Sequence, residues 1–92
     1  MTIDTASVRA FLEERHVTLA ERVREFATRQ IAPLPEPADD KTAREQAREL
    51  LAKIGAAGWF EPIKSQDWRA CCLVREALAA ASPLADAVFA LQ

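Results

Sequence analysis

Few residues in this chain are of types that do chemistry, and their spacing limits what that chemistry can be. The one histidine, His16, stands three residues after Glu13. Glu-x-x-His is the spacing with which helix pairs hold a di-iron centre, but such a centre takes two copies of the motif and two further glutamates. A chain with one histidine cannot supply the second copy, so the spacing is coincidental. His16 lies beside the apolar stripe of its helix and is expected to be half-exposed. Cys71 and Cys72 are the only cysteines. Adjacent cysteines bridge only with severe strain, and no C-x-x-C spacing offers zinc a ligand set. They read as free, buried thiols acting as small hydrophobes. Gly55 and Gly58 are the only glycines, too few for a phosphate-cradling loop, a dinucleotide fingerprint or a nucleophile elbow. Taken alone, these residues hold no catalytic, cofactor-binding or metal-binding site.

The elements that must position these residues belong to a small chain. Its 92 residues are 50% apolar and 28% charged, the composition of one folded domain spanning 1–92 rather than of a disordered tail. Twelve basic against fourteen acidic residues give a net charge of −2, which argues against a nucleic-acid module. No apolar run is long enough for a membrane span. The start, MTIDTASVRAFLEERH, lacks a secretory h-region, and the early acids Asp4, Glu13 and Glu14 do not suit a transit peptide. A cytoplasmic location is expected.

The periodicity is helical throughout. Val8, Phe11, Leu12, Leu19, Val23 and Phe26 keep the three-and-four spacing of one helix face, predicting a first helix near 7–31, capped by Asp4 or Ser7 and stopped by Pro33. Its opposite face carries Glu13, Glu14, Glu21, Arg22, Glu25 and Arg29, a solvated surface with i,i+4 pairs such as Glu25–Arg29. APLPEPADD (32–40) has three prolines in five positions and forms an extended connector. Asp40 is the expected N-cap of a second helix, with Thr42–Glu45 as an alternative capping box. Its stripe is Ala47, Leu50, Leu51 and Ile54, and a left-handed glycine, Gly55 or Gly58, ends it. Trp59 and Phe60 are core rings. Ser65 or Asp67 opens a third helix with apolar positions Trp68, Cys71, Cys72, Val74, Ala77 and Leu78, ending at Ala81. Ser82-Pro83 starts a fourth, with Asp86 complementing its dipole. Leu84, Ala85, Val88, Phe89 and Leu91 make that helix apolar nearly all round, more apolar surface than three short neighbours are expected to cover.

The order of these pieces resembles the N-terminal helical domain of acyl-CoA dehydrogenases. The stretches that carry the likeness are FLEERHVTLAERVREFATRQIAP (11–33), ARELLAKIGAAGWF (47–60) and CLVREALAAASPLADAVFALQ (72–92). Ile31-Ala32-Pro33 stands where that family stops its first long helix. Leu51 to Gly58 fits its L-x-x-x-G-x-x-G-like helix end, and Glu76 to Phe89 fits the acidic helix, small-residue break and apolar helix that follow. Glu61 to Gln66 departs from the pattern, because the family commonly has a glycine-rich loop there. Substrate class is therefore not carried over.

The resemblance implies an all-α fold, an irregular four-helix bundle, as the N-terminal part of a longer FAD-dependent enzyme. That enzyme would carry out α,β-dehydrogenation of acyl-CoA thioesters. In the family a base removes the α proton, the flavin N5 accepts the β hydride, and an electron-transfer flavoprotein takes the electrons. FAD and the catalytic carboxylate belong mainly to parts outside this chain, so no flavin and no activity are expected of the 92 residues alone, and Glu76 reads as a helix-face residue. The contribution expected here is a wall of the acyl pocket at Asp86, Phe89 and Ala90, an apolar surface that excludes water from the thioester. The alternative is a stand-alone helical dimerisation or interaction module without catalysis, pairing through an uncovered fourth helix.

Overall fold

The computed structural model describes residues 14–92. Among them are five α-helices and no strand: α1 (Glu14–Phe26), α2 (Asp40–Ala56), α3 (Glu61–Lys64), α4 (Trp68–Ala81) and α5 (Pro83–Ala90). The all-α class expected from the periodicity holds, with α3 as an additional short helix. The expected contributions of Asp4, Ser7, Val8, Phe11, Leu12 and Glu13 lie outside the described residues.

α1 does not stop at Phe26 but continues through a π-helical turn, Ala27–Ile31. The Ala32 amide donates to the carbonyl of Ala27 at 2.8 Å, five residues back. Its buried positions run Val23, Ala27, Ile31. Each four-residue step overshoots a 3.6-residue turn by about 40°, so in a pure α-helix Ile31 would drift off the stripe. The wider turn absorbs that drift, and Ile31 is buried. Pro33, Pro35 and Pro37 then keep the chain from resuming a helix. Leu34 leans on the core, and the Gln46 side-chain amide donates to the Pro35 carbonyl at 2.6 Å, tying the connector to α2.

The cap of α2 falls one residue before the expected Asp40. Asp39 is extended (φ −153°, ψ 177°), and its carboxylate accepts from the Thr42 amide at 2.7 Å, a bond that holds its pKa below the usual carboxylate range. Asp40 instead sits in the first turn, where its charge suits the helix dipole. Leu50 and Ile54 are fully buried while Leu51 is 39% exposed, so the buried stripe is narrower than its apolar spacing suggests. The end is a Schellman turn. The Trp59 amide reaches back to Ile54 O and the Gly58 amide to Gly55 O, with Gly58 at φ +85° in the left-handed conformation that suits glycine. This turn swings Trp59 and Phe60 inward, as expected for core rings. Trp59 meets Phe26 at 5.7 Å between centroids, tilted by 54°, and Phe60 stacks on Phe89 at 5.7 Å and 13°.

α3 begins just after these rings with the buried Pro62 in its first turn, where a missing N–H costs nothing. Asp67 caps α4, and Ser82 both closes α4 and caps α5. The Ser82 amide donates to Leu78 O and its hydroxyl accepts from the Ala85 amide. On α4 the buried stripe is Ala70, Cys71, Val74 and Leu78. Two expectations fail here. Trp68 is 62% exposed and Cys72 is exposed, because neither lies on the face of α4 that carries the buried Ala70, Cys71, Val74 and Leu78.

The expectation for the last helix is also corrected. Ala85, Val88 and Phe89 are buried, because α5 lies against both α2 and α4 and the Phe60 ring closes over Phe89. Of the large apolar residues there, only Leu91, just past the helix end, is strongly exposed, at 84%. The surface on which the dimerisation reading rested is thus mostly internal core. Phe89→Ala should cost about 3–5 kcal/mol, the range for truncating a buried phenylalanine, most of the stability of so small a domain. Leu91→Ser should change it by no more than about 0.5 kcal/mol. Urea melts of the two variants check both values.

Candidate functional site

Two features concentrate functional groups: a charged knot where α1 meets the start of α4, and the outer face of α5.

The knot centres on Asp67. Its carboxylate accepts from Arg15 Nη1 at 2.6 Å, from the Ala70 amide at 3.2 Å, and from His16 Nε2, which lies 3.0 Å from both oxygens. Burial pulls the Asp67 pKa up, but the Ala70 amide, His16 and Arg15 outweigh it and hold it below the ordinary carboxylate value. An ionised carboxylate only accepts, so Nε2 carries a proton. His16 is only 2% exposed, correcting the half-exposed position expected from the sequence. The Leu19–Val23 stripe turns it inward against Asp67, 51 residues on. Nδ1 is buried and has no hydrogen-bond partner among the described residues. A histidine oriented by an aspartate is the arrangement of a general base, yet this ring is closed to any substrate. The pair joins two helices. No residue pattern signals the partnership; only the capping character of Asp67 was legible.

The residues expected to form the pocket wall are divided by the fold. Asp86 and Ala90, one turn apart on α5, share a face. Asp86 is held there by Arg75 of α4, whose Nε donates to Oδ1 at 2.9 Å and whose Nη2 donates to Oδ2 at 3.3 Å. These bonds raise the Arg75 pKa and fix the carboxylate in a two-pronged grip. Phe89 lies behind that face, 1% exposed in the core. The three therefore do not line one surface. Asp86 and Ala90 present outward, and Phe89 roots the helix beneath them. Arg75 was missed by the sequence reading, although an arginine one residue before Glu76 on a neighbouring helix carries no signal of its own.

The remaining chemistry is sparse. Cys71 is buried, and burial, with the Asp67 charge adding to it, pushes its thiol pKa up. Among the described residues no group of three His, Cys, Asp or Glu side chains is placed to hold a metal ion, and no helix is long and apolar enough to cross a membrane.

Residues 13–92 match the family model described as "Acyl-CoA dehydrogenase, N-terminal domain". No curated protein and no solved structure matches the chain.

Two outcomes follow from the geometry. Because the folded-state pKa of Asp67 lies below its unfolded value of about 3.9, the native chain binds fewer protons than the unfolded one. The stability from this knot is complete above that value and is lost as pH falls through it towards the lowered folded pKa. Asp67→Asn, which keeps a capping side chain but no charge, should flatten the acid limb of a stability–pH curve taken from urea midpoints between about pH 3 and 6. Separately, one equivalent of a thiol reagent should label the exposed Cys72 rapidly and leave Cys71 unmodified until unfolding, as peptide mapping will show.

Proposed function

The chain belongs to the acyl-CoA dehydrogenase N-terminal domain family, and from that premise we propose that residues 1–92 are the N-terminal helical domain of a longer FAD-dependent acyl-CoA dehydrogenase. The activity is α,β-dehydrogenation of an acyl-CoA thioester, and this domain supplies one wall of the acyl pocket without being catalytic by itself. Electrons leave through an electron-transfer flavoprotein, as the family implies.

The observation that carries the reading is the two-sided character of α5. Phe89, Ala85 and Val88 anchor it in the core while Ala90 and Leu91 are left exposed. A wall of the acyl pocket would present apolar surface of this kind. An acyl chain lying along Ala90 gains the transfer of its methylenes out of water. Asp86, gripped by Arg75, marks the edge where that apolar strip ends. Excluding water strengthens the hydrogen bonds that make a thioester α proton acidic. Phe89 serves the wall from behind, by fixing the position of α5.

FAD, the oxidant the family implies, does not fit the residues present. Gly55 lies inside α2, where an added Cβ would stand 3.5 Å from the Phe60 ring, and Gly58 closes the C-terminus of that helix. Neither contributes to a loop whose amides could cradle a pyrophosphate. The flavin and the catalytic base are accordingly assigned to the rest of the enzyme.

The test uses the native polypeptide expressed from its complete reading frame and assayed for acyl-CoA-dependent dye reduction. Ala90→Trp should raise KM for a long-chain acyl-CoA by about tenfold, equivalent to about 1.4 kcal/mol, with little change for the shortest substrate. Failure to oxidise any acyl-CoA, straight-chain, branched or aromatic, would overturn the proposal.

A further inference from the structure

The ion pair between α4 and α5 is unlike the others on this surface. Glu25–Arg29 on α1 joins side chains 59% and 74% exposed, the kind of pair that contributes little. In Arg75–Asp86 two guanidinium nitrogens meet both carboxylate oxygens, at 2.9 and 3.3 Å, and the Asp86 side chain is only 23% exposed. A two-pronged bond fixes direction as well as distance. Because Arg75 belongs to α4, the bond draws the carboxylate towards that helix. The face of α5 left to solvent is then Pro83, Ala87 and Ala90, spaced i, i+4 and i+7 on one side of the helix. All three are small and apolar.

Asp86 stands beside that face, in the first turn of α5. There the helix dipole favours its charge, so removing the cation would not neutralise it. A freed carboxylate would keep its water one turn from Ala90, and covering it with an acyl chain would be costly. Resting on the acyl-CoA reading above, we propose that Arg75 is a positioning residue for acyl-chain specificity. By holding Asp86 to the side, it keeps charge and water off the Ala87–Ala90 strip, the part of the wall that a longer acyl chain needs and a short one does not reach. Arg75 itself touches no substrate; it acts through Asp86.

The test uses the native polypeptide from its complete reading frame, with the longest and the shortest acyl-CoA that the wild type oxidises. The readout is the ratio of kcat/KM, long over short. Arg75→Gln should lower that ratio about tenfold, the loss falling on KM for the long substrate rather than on kcat, as loss of ground-state binding does. Arg75→Lys keeps the charge without the fork and should lower it about threefold. The double variant R75Q/D86N removes the stranded charge and should return the ratio to within about threefold of wild type. Thermal melts accompany each variant, because a merely structural joint would lower the melting temperature and leave the ratio unmoved. An unmoved ratio in folded Arg75→Gln overturns the proposal, as does a double variant that fails to rescue. Should Arg75→Gln not fold, an unmoved ratio in Arg75→Lys overturns it instead. A wild type that oxidises no acyl-CoA overturns the reading beneath, whereas an active wild type with an unmoved ratio overturns the role of Arg75 alone.

Discussion

The fold depends on the left-handed turn at Gly58. Gly58 at φ +85° ends α2 and immediately turns the chain so that two consecutive rings face different partners. Trp59 goes to Phe26 on α1 and Phe60 goes to Phe89 on α5. Adjacent residues in a helix or strand could not serve two such separated helices while both remained inside. The Schellman hydrogen bonds also satisfy the carbonyls of Ile54 and Gly55 at the end of α2. A side chain at this position would meet no neighbour, so the constraint is on the backbone dihedral and not on space.

Asp67 does for the opposite end of the molecule what Gly58 does for the middle. One carboxylate closes the first turn of α4 and simultaneously holds Arg15 and His16 of α1. The two helices are thereby fixed at their matching ends, and the apolar stripes of Val23 and Ile31 against Val74 and Leu78 follow in register. Local capping and long-range packing are the same interaction here, which is why its pKa reports on tertiary structure.

Much of this was legible from residue order. The helical period, the proline stop, Ser82-Pro83 and a glycine-ended α2 each have a local cause, and local causes can be read locally. What escaped were features decided by which face meets a neighbour. His16 is at the edge of its stripe and could turn either way; Asp67, distant in sequence, turned it inward. Trp68 and Cys72 are apolar residues left outward by the direction in which α4 enters the core. The apolar load of α5 suggested an uncovered helix because the reach of the Phe60 ring over Phe89 depends on the Gly58 turn. For the candidate wall, Asp86, Phe89 and Ala90 are proposed through family likeness, whereas the Arg75 grip that sets the carboxylate is a contact between helices.

The π turn at Ala27–Ile31 has a consequence for how this chain can change in length. It holds one residue more than α geometry needs, so losing one residue there would let the segment revert to an ordinary α-helix with its ladder intact. The wide turn already takes up that residue, so after its loss Val23 and Ile31 would stand seven apart, within about 20° of one stripe. The His16 side of the helix and the proline connector anchored by Leu34 would both still face inward. This turn is therefore a register clutch. Sequences related to this one by a single deletion at that point can share every helix and present the same side of α1 to α4.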